Sequence, residues 1–475
     1  MRIDRALTAG IAVLIGIFLP VQLSAANGAV ASGSQKHWVF AHYMVCFAAY
    51  GERVEDYSRE IQVAQAAGID GFALNCGSWH NEPHYPRRTK AIFQAAQELG
   101  TGFKLFFSVD FACLNWHPAG EFESYVLDMV KTYGRHPNQF VHNGKIVVST
   151  FSGDQGIAWK KDILEPLKSD GYDIFLVPFF YPRPRVTELP DEPVLAEHCR
   201  KWADVVDGMF YFGAAGTAPQ LAASNAAYAK VLRNAGKLCM GSYTPMYWGA
   251  SQPNRRYFET CGGEGIELQW KSIVENQPDW VEIVTWNDFN ESYICPVDAA
   301  CLSSAGRSPD KVPAYLKGRS DHTGYLELCR HYMDWYKTGK EPPLRDALFY
   351  FYRRHPRDAV AKDDRPVTAL HGEVQDVLYL TSMMTAPAEL KVISGSSSSV
   401  HPLEPGIRHL RIPFSTGPQK LAVLRNGKTI LSQEGPPIAS QIERYDFFPA
   451  SGFVAASHAV STSVGVNAPG MIAFE

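Results

Sequence analysis

The chain has 475 residues, of which 46% are hydrophobic and 20% are charged, and its formal net charge is -4. This length predicts one large globular domain with a smaller one, or two to three domains of average size. No basic run is interleaved with aromatic residues, so nucleic acid and anionic membrane surfaces are poor candidates for a partner. The aromatic content of 12% suits contact with sugar rings, although a large aromatic core explains most of it.

The amino terminus predicts a secretory signal peptide over residues 1–26. Arg2 and Arg5 precede an apolar stretch at residues 9–19, and small residues close the segment. A retained membrane anchor is the alternative, but the apolar stretch is shorter than the ~20 residues that a membrane span needs. We therefore expect a secreted or periplasmic protein without membrane attachment after signal cleavage, with a linker over residues 27–36.

Eight short apolar runs, each followed by a loop and a helix-like stretch, occupy residues 37–343. The runs are nearly continuous in apolar, β-branched and aromatic residues, as strands are when both faces are buried. They cover residues 37–44, 69–75, 103–110, 145–151, 172–180, 205–212, 238–245 and 280–288. Helices are predicted at 54–67, 88–99, 121–133, 157–169, 194–202, 226–235, 265–276 and 323–337. Eight strand–helix units predict an α/β fold, a closed (β/α)8 TIM barrel rather than an open sheet.

Residues 344–475 show a different pattern, in which apolar and polar residues alternate. Arg425-Asn426-Gly427-Lys428 predicts a hairpin, because Asn-Gly supplies the two positive-φ positions of a tight primed turn. We predict that this segment forms a small antiparallel β-sandwich domain. It either binds polysaccharide or packs against the barrel as an accessory domain, and we favour the second interpretation.

The nine cysteines of the chain imply some disulfide pairs and one free thiol, provided that the compartment is oxidising. Cys295 and Cys301 are close enough in sequence to bridge a short loop. Cys46, Cys76 and Cys113 lie at the ends of three successive predicted strands, so two of them are candidates for a pair. The paired C-x-x-C spacing of a structural zinc site is missing from the sequence, and we expect neither a metal nor a cofactor.

Candidate site residues cluster at the carboxyl ends of the predicted strands, where the loops of a barrel enzyme converge. Polar and aromatic side chains stand there although burial disfavours many of them. The predicted substrate-binding residues are His42, Tyr43, Asn75, Asp110, Tyr243, Trp248, Trp286 and Asn287. Further candidates for ring stacking are Trp79, Trp116, Tyr181 and Tyr211, and at least half of the aromatic candidates are expected to serve packing instead.

Asp288 and Glu291 are the predicted catalytic residues, because they are two carboxylates three residues apart directly after the last strand. Glycoside hydrolysis needs one carboxylic acid to protonate the leaving oxygen and one carboxylate to activate water or attack carbon. On a continuing strand the two would face opposite sides, whereas a turn after Asn287 lets both face the barrel mouth. The alternative is that one caps the turn and the other is a surface acid. Asp110 is the reserve candidate for a catalytic acid.

Other catalytic motifs are weak in this sequence. His80 and His84 are four residues apart, but Pro83 between them argues against the helix of an H-E-x-x-H zinc site. The sequence contains neither a G-x-S-x-G nucleophile elbow nor a Gly-rich phosphate loop after a strand.

The chain resembles glycoside hydrolase family 71, the mutanase-type α-1,3-glucanases. The resemblance rests on VFAHYM, GIDGFALN, FKLFFSVD and DWVEIVTWNDFNES, and it extends into the tail through DALFYFYRRHP and VLRNGK. It implies a barrel with a carboxy-terminal β-sandwich, metal-free inverting hydrolysis of α-1,3-glucan, and a catalytic pair at Asp288 and Glu291. Phe289 and Asn290 replace the Tyr and Gly that are usual in the family's WNDYGES segment, and Cys46 replaces a usual Gly.

We therefore predict an endo-acting, inverting hydrolase of α-glucan, active as a monomer, with Glu291 as acid and Asp288 as base. Inversion needs carboxyl groups about 6.5–9.5 Å apart, against about 5–5.5 Å for retention. Two alternatives remain open. One is an α-glycosidase that acts on a related polysaccharide such as α-mannan, and the other is a glycan-binding barrel without hydrolytic activity.

Overall fold

A computed structural model describes residues 36–112, 120–182, 192–251, 253, 255–297, 315–362 and 364–456. The predicted signal peptide lies outside the described residues, and so does the predicted linker apart from Lys36. His37–Glu475 forms one compact unit. Among the described residues, none of the helices combines the length and the apolar character that a membrane span requires.

Eight parallel strands form one curled sheet in the amino-terminal part of the chain. The strands of this part are β1 (Trp38–Met44), β2 (Gly71–Cys76), β3 (Lys104–Asp110), β4 (Val141–His142), β5 (Lys145–Phe151), β6 (Ile174–Leu176), β7 (Gly208–Phe210), β8 (Leu238–Tyr243), β9 (Tyr247–Trp248), β10 (Arg256–Phe258), β11 (Trp280–Ile283), β12 (Asn287–Asp288) and β13 (Ser292–Tyr293). The parallel order is β6-β5-β3-β2-β1-β11-β8-β7, and β4 pairs antiparallel with β5. All eight predicted strand positions are therefore confirmed.

Helices follow the strands in alternation, as the sequence predicts. They are α1 (Val54–Ala66), α2 (His84–Leu99), α3 (Glu121–Tyr133), α4 (Glu165–Ser169, after a π-helical segment Trp159–Leu164), α5 (Glu192–Trp202), α6 (Ala218–Asn234), α7 (Gly263–Asn276) and α8 (Thr323–Thr338). Helix α6 begins eight residues before the predicted start. The reason is a capping box in which Thr217 and Gln220 satisfy each other's backbone N–H groups, with a proline in the first turn.

Two apolar layers lie on the two faces of the curled sheet. The inner layer is rich in aromatic rings, among them Phe40, Phe106, Phe140, Phe175 and Trp280, all buried. The outer layer packs the other face of the sheet against the helices. Because successive side chains of a strand point to opposite faces, alternate residues of each strand belong to different layers.

The carboxy-terminal part folds into two four-stranded antiparallel sheets. Its strands are β14 (Ala347–Tyr352), β15 (Ala369–His371), β16 (Val377–Met384), β17 (Ala388–Ser394), β18 (Ser397–Leu403), β19 (Gly406–Pro413), β20 (Gly417–Arg425), β21 (Lys428–Ile438) and β22 (Ala450–Ala455). The sheet orders are β19-β16-β14-β22 and β18-β17-β20-β21, while β15 pairs with β10. Leu348, Leu380, Leu390 and Val423 lie in the core that the two sheets share.

The first of these sheets also joins the core of the amino-terminal part. Phe349 and Phe351 point away from the second sheet and belong to the same apolar cluster as the helices around the curled sheet. The predicted Asn-Gly hairpin is present, with Asn426 and Gly427 at φ values of 53° and 74°. Strands β17, β18, β20 and β21 contain no Phe, Trp or Tyr, so the second sheet offers no aromatic platform for sugar rings.

Six of the described cysteines carry free thiols, namely Cys46, Cys76, Cys199, Cys239, Cys261 and Cys329. Cys113 and Cys301 lie outside the described residues, and so does any pairing of Cys295 with Cys301.

Candidate active site

Strand alternation carries four polar side chains into the interior of the curled sheet. Along each of these strands, the side chains that face the interior are apolar at first and polar toward the carboxyl end. The polar residues are His42 on β1, Asn75 on β2, Asp110 on β3 and Glu282 on β11. Since β3, β2, β1 and β11 are neighbours in that order, their polar side chains form a row above the aromatic inner layer.

Hydrogen bonds connect the four side chains of this row from one end to the other. Glu282 Oε1 lies 2.7 Å from His42 Nδ1, and His42 Nε2 lies 3.1 Å from Asn75 Nδ2. The same Asn75 nitrogen donates to Asp110 Oδ2 at 3.3 Å. Glu282 and His42 are fully buried, whereas Asp110 is partly exposed. The structure therefore brings together three of the predicted substrate-binding residues, and it adds Glu282.

Burial raises the pKa of both carboxyl groups in this row. It raises the pKa of Glu282, and the adjacent imidazole of His42 offsets part of that rise. It also raises the pKa of Asp110, which the backbone N–H of Ala112 and the amide of Asn75 lower in turn. Asp110 thus lies at the exposed end of the row, and Glu282 lies at its buried end.

Asp288 and Glu291 lie at the two ends of a tight hairpin. The backbone N–H of Glu291 donates to the Asp288 carbonyl at 3.1 Å, and β12 pairs with β13 on either side of the turn. The chain therefore turns directly after Asp288, at residues 289–291, one residue later than the predicted turn after Asn287. The N–H of Asn290 also donates to Asp288 Oδ1, at 3.0 Å.

The two acids affect each other electrostatically. The pKa of Asp288 is raised to about 8, first by burial and then by the negative charge of Glu291. The backbone N–H groups of Asn290 and Glu291 and the charge of Arg319 act in the opposite direction. The raised pKa of Asp288 favours its protonated form beside the charge of Glu291, which is the direction an acid in such a pair needs.

Two further side chains lie beside these carboxylates, and neither was predicted from the sequence. The pKa of the partly exposed Cys46 thiol is raised to about 12 by burial and by the charges of Asp288 and Asp110. The pKa of Tyr247 is raised by burial and by the charges of Glu291 and Asp288. Cys46 is therefore within electrostatic range of both the hairpin and the end of the polar row, and Asn287 ties the loop that follows β1 to the hairpin.

The hairpin is held by its neighbours at its base. The side chain of Asn287 accepts from the N–H of Met44 at 2.8 Å and donates to the carbonyls of Met44 and Phe47 at 3.1 and 2.6 Å. Thr285 Oγ1 accepts from the N–H of Asp288 at 2.7 Å and donates to the carbonyl of Ser292 at 2.6 Å. The side-chain amide of the predicted site residue Asn287 thus forms its hydrogen bonds with backbone groups, and this favours a structural role over sugar binding.

Trp286 and Tyr43 point away from the interior row. Both side chains are buried in the outer layer and contact the ring of Phe72, at centroid distances of 5.4 and 4.8 Å. The Trp286 indole donates to Glu60 Oε2 of helix α1 at 3.1 Å. For Tyr43 alternation is the reason, because it has the opposite parity to the interior residues of β1, whereas Trp286 lies beyond the end of β11 at Ile283, where strand alternation no longer sets the direction of a side chain. This placement corrects their predicted role as sugar contacts to one of packing.

Tyr243 and Trp248 are also buried in the outer core. Tyr243 stacks on Trp270 with a centroid distance of 5.4 Å. Trp248 packs against Phe447 at 5.0 Å and under the guanidinium of Arg255 at 5.0 Å. Neither ring is exposed, so the structure gives both a packing role in place of the predicted sugar contact.

Other aromatic rings line the mouth instead. Phe212 meets the edge of the His42 imidazole at 5.0 Å, and Phe151 contacts both Phe212 and Tyr181, at 4.7 and 6.0 Å. All three rings are partly exposed. Tyr181 was a predicted stacking candidate, whereas the two phenylalanines were missed although each follows or ends a predicted strand.

The remaining stacking candidates do not reach this mouth. Trp79 is buried and donates from Nε1 to Asp128 at 2.6 Å. Tyr211 packs on Tyr228 of helix α6 at 4.8 Å, and Trp116 lies outside the described residues.

The described residues contain no cluster of three or more His, Cys, Asp or Glu side chains that is arranged to hold a metal ion. His80 lies in a turn and His84 begins helix α2, so the two histidines do not share a helical face.

The sequence was compared with known protein families. The family described as glycosyl hydrolase family 71 matches residues 35–463, which is most of the chain. The chain belongs to glycosyl hydrolase family 71. The resemblance read from the strand motifs is thereby confirmed, and the chain is a glycoside hydrolase.

Two fungal relatives match along nearly their whole length. The glucan endo-1,3-alpha-glucosidase agn1 of Schizosaccharomyces pombe is 31% identical over 432 residues, which are 87% of this chain and 94% of that protein. A mutanase of Penicillium rubens is 29% identical over 444 residues, which are 91% and 92% of the two chains. Among solved structures, the GH99 endo-alpha-mannosidase from Bacteroides thetaiotaomicron superposes with a TM-score of 0.46 at 15% identity, covering 64% of this chain and 98% of that one.

Proposed function

We propose that this family 71 enzyme is an endo-acting hydrolase of α-1,3-glucan that inverts the anomeric configuration. The observation that carries the proposal is the hairpin that bears Asp288 and Glu291, where burial and the charge of Glu291 raise the pKa of Asp288. An acid and a carboxylate present together are what glycoside hydrolysis requires. The polymer is proposed from the names of the two fungal relatives, an endo-1,3-alpha-glucosidase and a mutanase.

In the proposed reaction, Glu291 donates a proton to the glycosidic oxygen as the bond to the anomeric carbon breaks. Asp288 removes a proton from a water molecule, whose oxygen forms the new bond to that carbon from the opposite side. The backbone N–H that Asn290 donates to Asp288 Oδ1 favours a carboxylate there, whereas burial and the charge of Glu291 favour the protonated form, so the order of the two acids is decided by the experiment below. Glu291 is partly exposed, which leaves room for a leaving group beside it.

The sugar is proposed to bind between the hairpin and the interior row. Asp110, which Asn75 holds at the exposed end of the row, supplies a hydrogen-bonding carboxyl on one side, and the partly exposed rings of Phe151, Phe212 and Tyr181 supply apolar faces. Cys46 lies beside both Asp288 and Asp110, so it faces the sugar unit at the point of cleavage.

For the fold, we propose that the eight strands close into a TIM barrel and that the two carboxy-terminal sheets form a β-sandwich. Closure between β6 and β7 is supported by two backbone hydrogen bonds, from Asp207 to Leu176 and from Phe210 to Pro178, each 3.0 Å long. The sandwich is supported by the apolar core shared by the two sheets. We divide the chain at residues 343 and 344 into a catalytic and an accessory domain, and we propose a secreted or periplasmic monomer whose signal peptide is residues 1–26.

The first test is release of reducing sugar from insoluble α-1,3-glucan by the mature protein. We expect activity in the wild type, and losses of about 100-fold or more in Asp288→Asn and Glu291→Gln, because each removes half of the acid–base pair. Asp162→Asn, a partly exposed acid far along the chain from the hairpin, is the matched control and should retain activity. Cleavage of α-mannan without cleavage of α-1,3-glucan would replace the proposed substrate.

The order of the two acids is tested with an α-glucosyl fluoride, whose leaving group needs no protonation. Glu291→Gln should then recover activity, since only its acid function is lost. Asp288→Asn should stay inactive until azide is added, because azide attacks without a base. The opposite pattern would exchange the two roles.

A further inference from the structure

We infer that the small sheet β9-β10-β15 forms a second sugar-binding surface beside the catalytic hairpin, and that His371, from the carboxy-terminal part of the chain, belongs to it. The surface lies on the Glu291 side of the hairpin, where it holds glucosyl units of the leaving part of the substrate. The inference deepens the proposed function and rests on it for the identity of the polymer.

Backbone hydrogen bonds connect this sheet to the catalytic hairpin. The N–H of Trp248 in β9 donates to the carbonyl of Glu291 at 2.8 Å, and the N–H of Ala250 donates to the carbonyl of Asn290 at 3.0 Å. Strand β9 pairs antiparallel with β10, and β10 pairs parallel with β15. A path of backbone hydrogen bonds therefore runs from the proposed acid to residues 369–371, which fixes the position of the sheet relative to Glu291.

The two faces of this sheet have different surroundings. Trp248 and Tyr257 are directly opposite each other in the sheet, and both pack on the same phenylalanine of the core, at centroid distances of 5.0 and 5.2 Å. Phe258 is opposite Tyr247 on one side and His371 on the other. Because paired residues share a face and successive residues alternate, these three rings lie on the face away from that core.

The three rings form a line that begins beside the acid pair. Burial and the charges of Glu291 and Asp288 raise the pKa of Tyr247, which is therefore the ring at the hairpin end. The edge of Tyr247 meets Phe258 at 5.7 Å, and Phe258 stacks on His371 at 4.2 Å with an angle of 11° between the rings. Tyr247 and Phe258 are buried and His371 is partly exposed, so the accessible ring lies at the far end of the line.

Polar groups lie along the same line. The partly exposed guanidinium of Arg256 lies over the rings of Tyr247 and Phe258, at 5.7 and 5.5 Å, and these contacts hold its N–H donors in place. In the part of the chain that the structure describes, the ring nitrogens of His371 have no hydrogen-bond partner. Burial and the charge of Arg256 lower the pKa of His371, so at neutral pH its uncharged ring offers one donor and one acceptor.

These groups suit a neutral sugar. A pyranose has apolar C–H faces that stack on flat rings, and hydroxyl groups that both donate and accept hydrogen bonds. The carboxyl groups of Glu291 and Asp288 at the near end disfavour an anionic ligand. The occupant is therefore a further part of the same neutral glucan chain, on the side of the cleavage point where Glu291 lies.

Strand β15 is anchored at both of its ends to the amino-terminal part of the chain. The N–H and Oγ1 of Thr368 donate to the carbonyl of Arg255 at 2.7 and 2.8 Å, and the N–H of Glu259 donates to the carbonyl of His371 at 2.9 Å. The position of His371 thus does not depend on a ligand. Since β15 belongs to neither of the two four-stranded sheets, a packing role for those sheets is compatible with this surface.

The test compares the mature wild type and His371→Ala on two substrates. One is a long soluble α-1,3-glucan oligosaccharide, and the other is an α-1,3-linked oligosaccharyl fluoride, whose leaving group is too small to reach the surface. We expect kcat/KM of His371→Ala to fall about ten-fold on the oligosaccharide and to stay within about two-fold of the wild type on the fluoride. An unchanged kcat/KM on the oligosaccharide would overturn the inference, and so would equal losses on both substrates.

His401→Ala is the matched control. His401 is also a partly exposed histidine of the carboxy-terminal part, but it lies on β18 of the second sheet and hydrogen bonds to Ser399 at 2.8 Å. It should match the wild type on both substrates. The midpoint of thermal unfolding of both variants should stay near that of the wild type, because both rings are partly exposed.

A second readout keeps His371 in place. Proton NMR of the Glu291→Gln variant is recorded while the α-1,3-glucan oligosaccharide is added, with each histidine signal identified by its loss in the alanine variant. The His371 signal should move and the His401 signal should not. If the wild type cleaves the oligosaccharide and the His371 signal stays, this inference alone fails. If the signal moves but the wild type does not cleave, the proposed function fails and the surface stands.

Discussion

Replacing Asp288 by Asn should make the folded protein more stable at high pH while abolishing its activity. The pKa of Asp288 is raised from 3.8 to about 8. A raised pKa means that the folded state binds the proton more tightly than the unfolded state does. The stability from this proton is complete below about pH 4 and is lost as the pH rises through about 8. Asparagine has no charge to bury, so it removes that loss.

The magnitude follows from the shift. About four pKa units at about 1.4 kcal/mol each give an upper limit of about 6 kcal/mol at high pH. Part of the shift is repulsion from Glu291, and the two groups titrate as a pair, so the measurable gain is smaller, on the order of 2 kcal/mol. Below about pH 4 the unfolded state also binds the proton, and the gain should vanish.

The assay is the midpoint of thermal unfolding of the wild type, Asp288→Asn and the control Asp162→Asn, at about pH 4 and about pH 9. Asp288→Asn should exceed the wild type only at the higher pH, and Asp162→Asn should match the wild type at both. An Asp288→Asn variant that is less stable than the wild type at high pH, or equally shifted at both, would refute the electrostatic reasoning.

Three further predictions concern the same mouth. Proton NMR during hydrolysis of α-1,3-glucan oligosaccharides should show the β-anomer first, and an initial α-anomer would instead indicate retention. Asn287→Leu removes three hydrogen bonds to backbone groups of Met44 and Phe47, so it should cost about 3 kcal/mol of stability and lower the unfolding midpoint, whereas an unchanged midpoint would contradict the role of Asn287 in holding the hairpin. Iodoacetamide at about pH 8 should alkylate Cys46 slowly, because its raised pKa keeps the thiol protonated, and rapid loss of that thiol in peptide mass spectrometry would contradict the placement.

Two features support the hypothesis that residues 344–475 form an accessory domain that packs against the barrel. The second sheet lacks aromatic side chains in its strands, and sugar-binding sheets depend on such rings. The first sheet shares its outward face, through Phe349 and Phe351, with the core of the amino-terminal part. Its expected contribution is therefore to stability.

The placement of Glu282 in the interior row shows why the site was only partly predictable. Its signal in the sequence was one charged residue inside the apolar run 280–284, at the parity of Trp280 and Val284. That signal alone does not distinguish an interior carboxylate from one that faces a helix. Its partner in the row, His42, is 240 residues away in the chain.

Local sequence determined the elements of this protein, because apolar runs, helical periodicity and the Asn-Gly turn act over a few neighbouring residues. It also determined the position of Asp288 and Glu291 after the last strand. The tertiary structure alone decided which face of each strand is interior, and so placed His42 inside and Tyr43 outside. It alone decided the raised pKa of Asp288, because the desolvation of that carboxyl depends on atoms that folding brings together from distant parts of the chain.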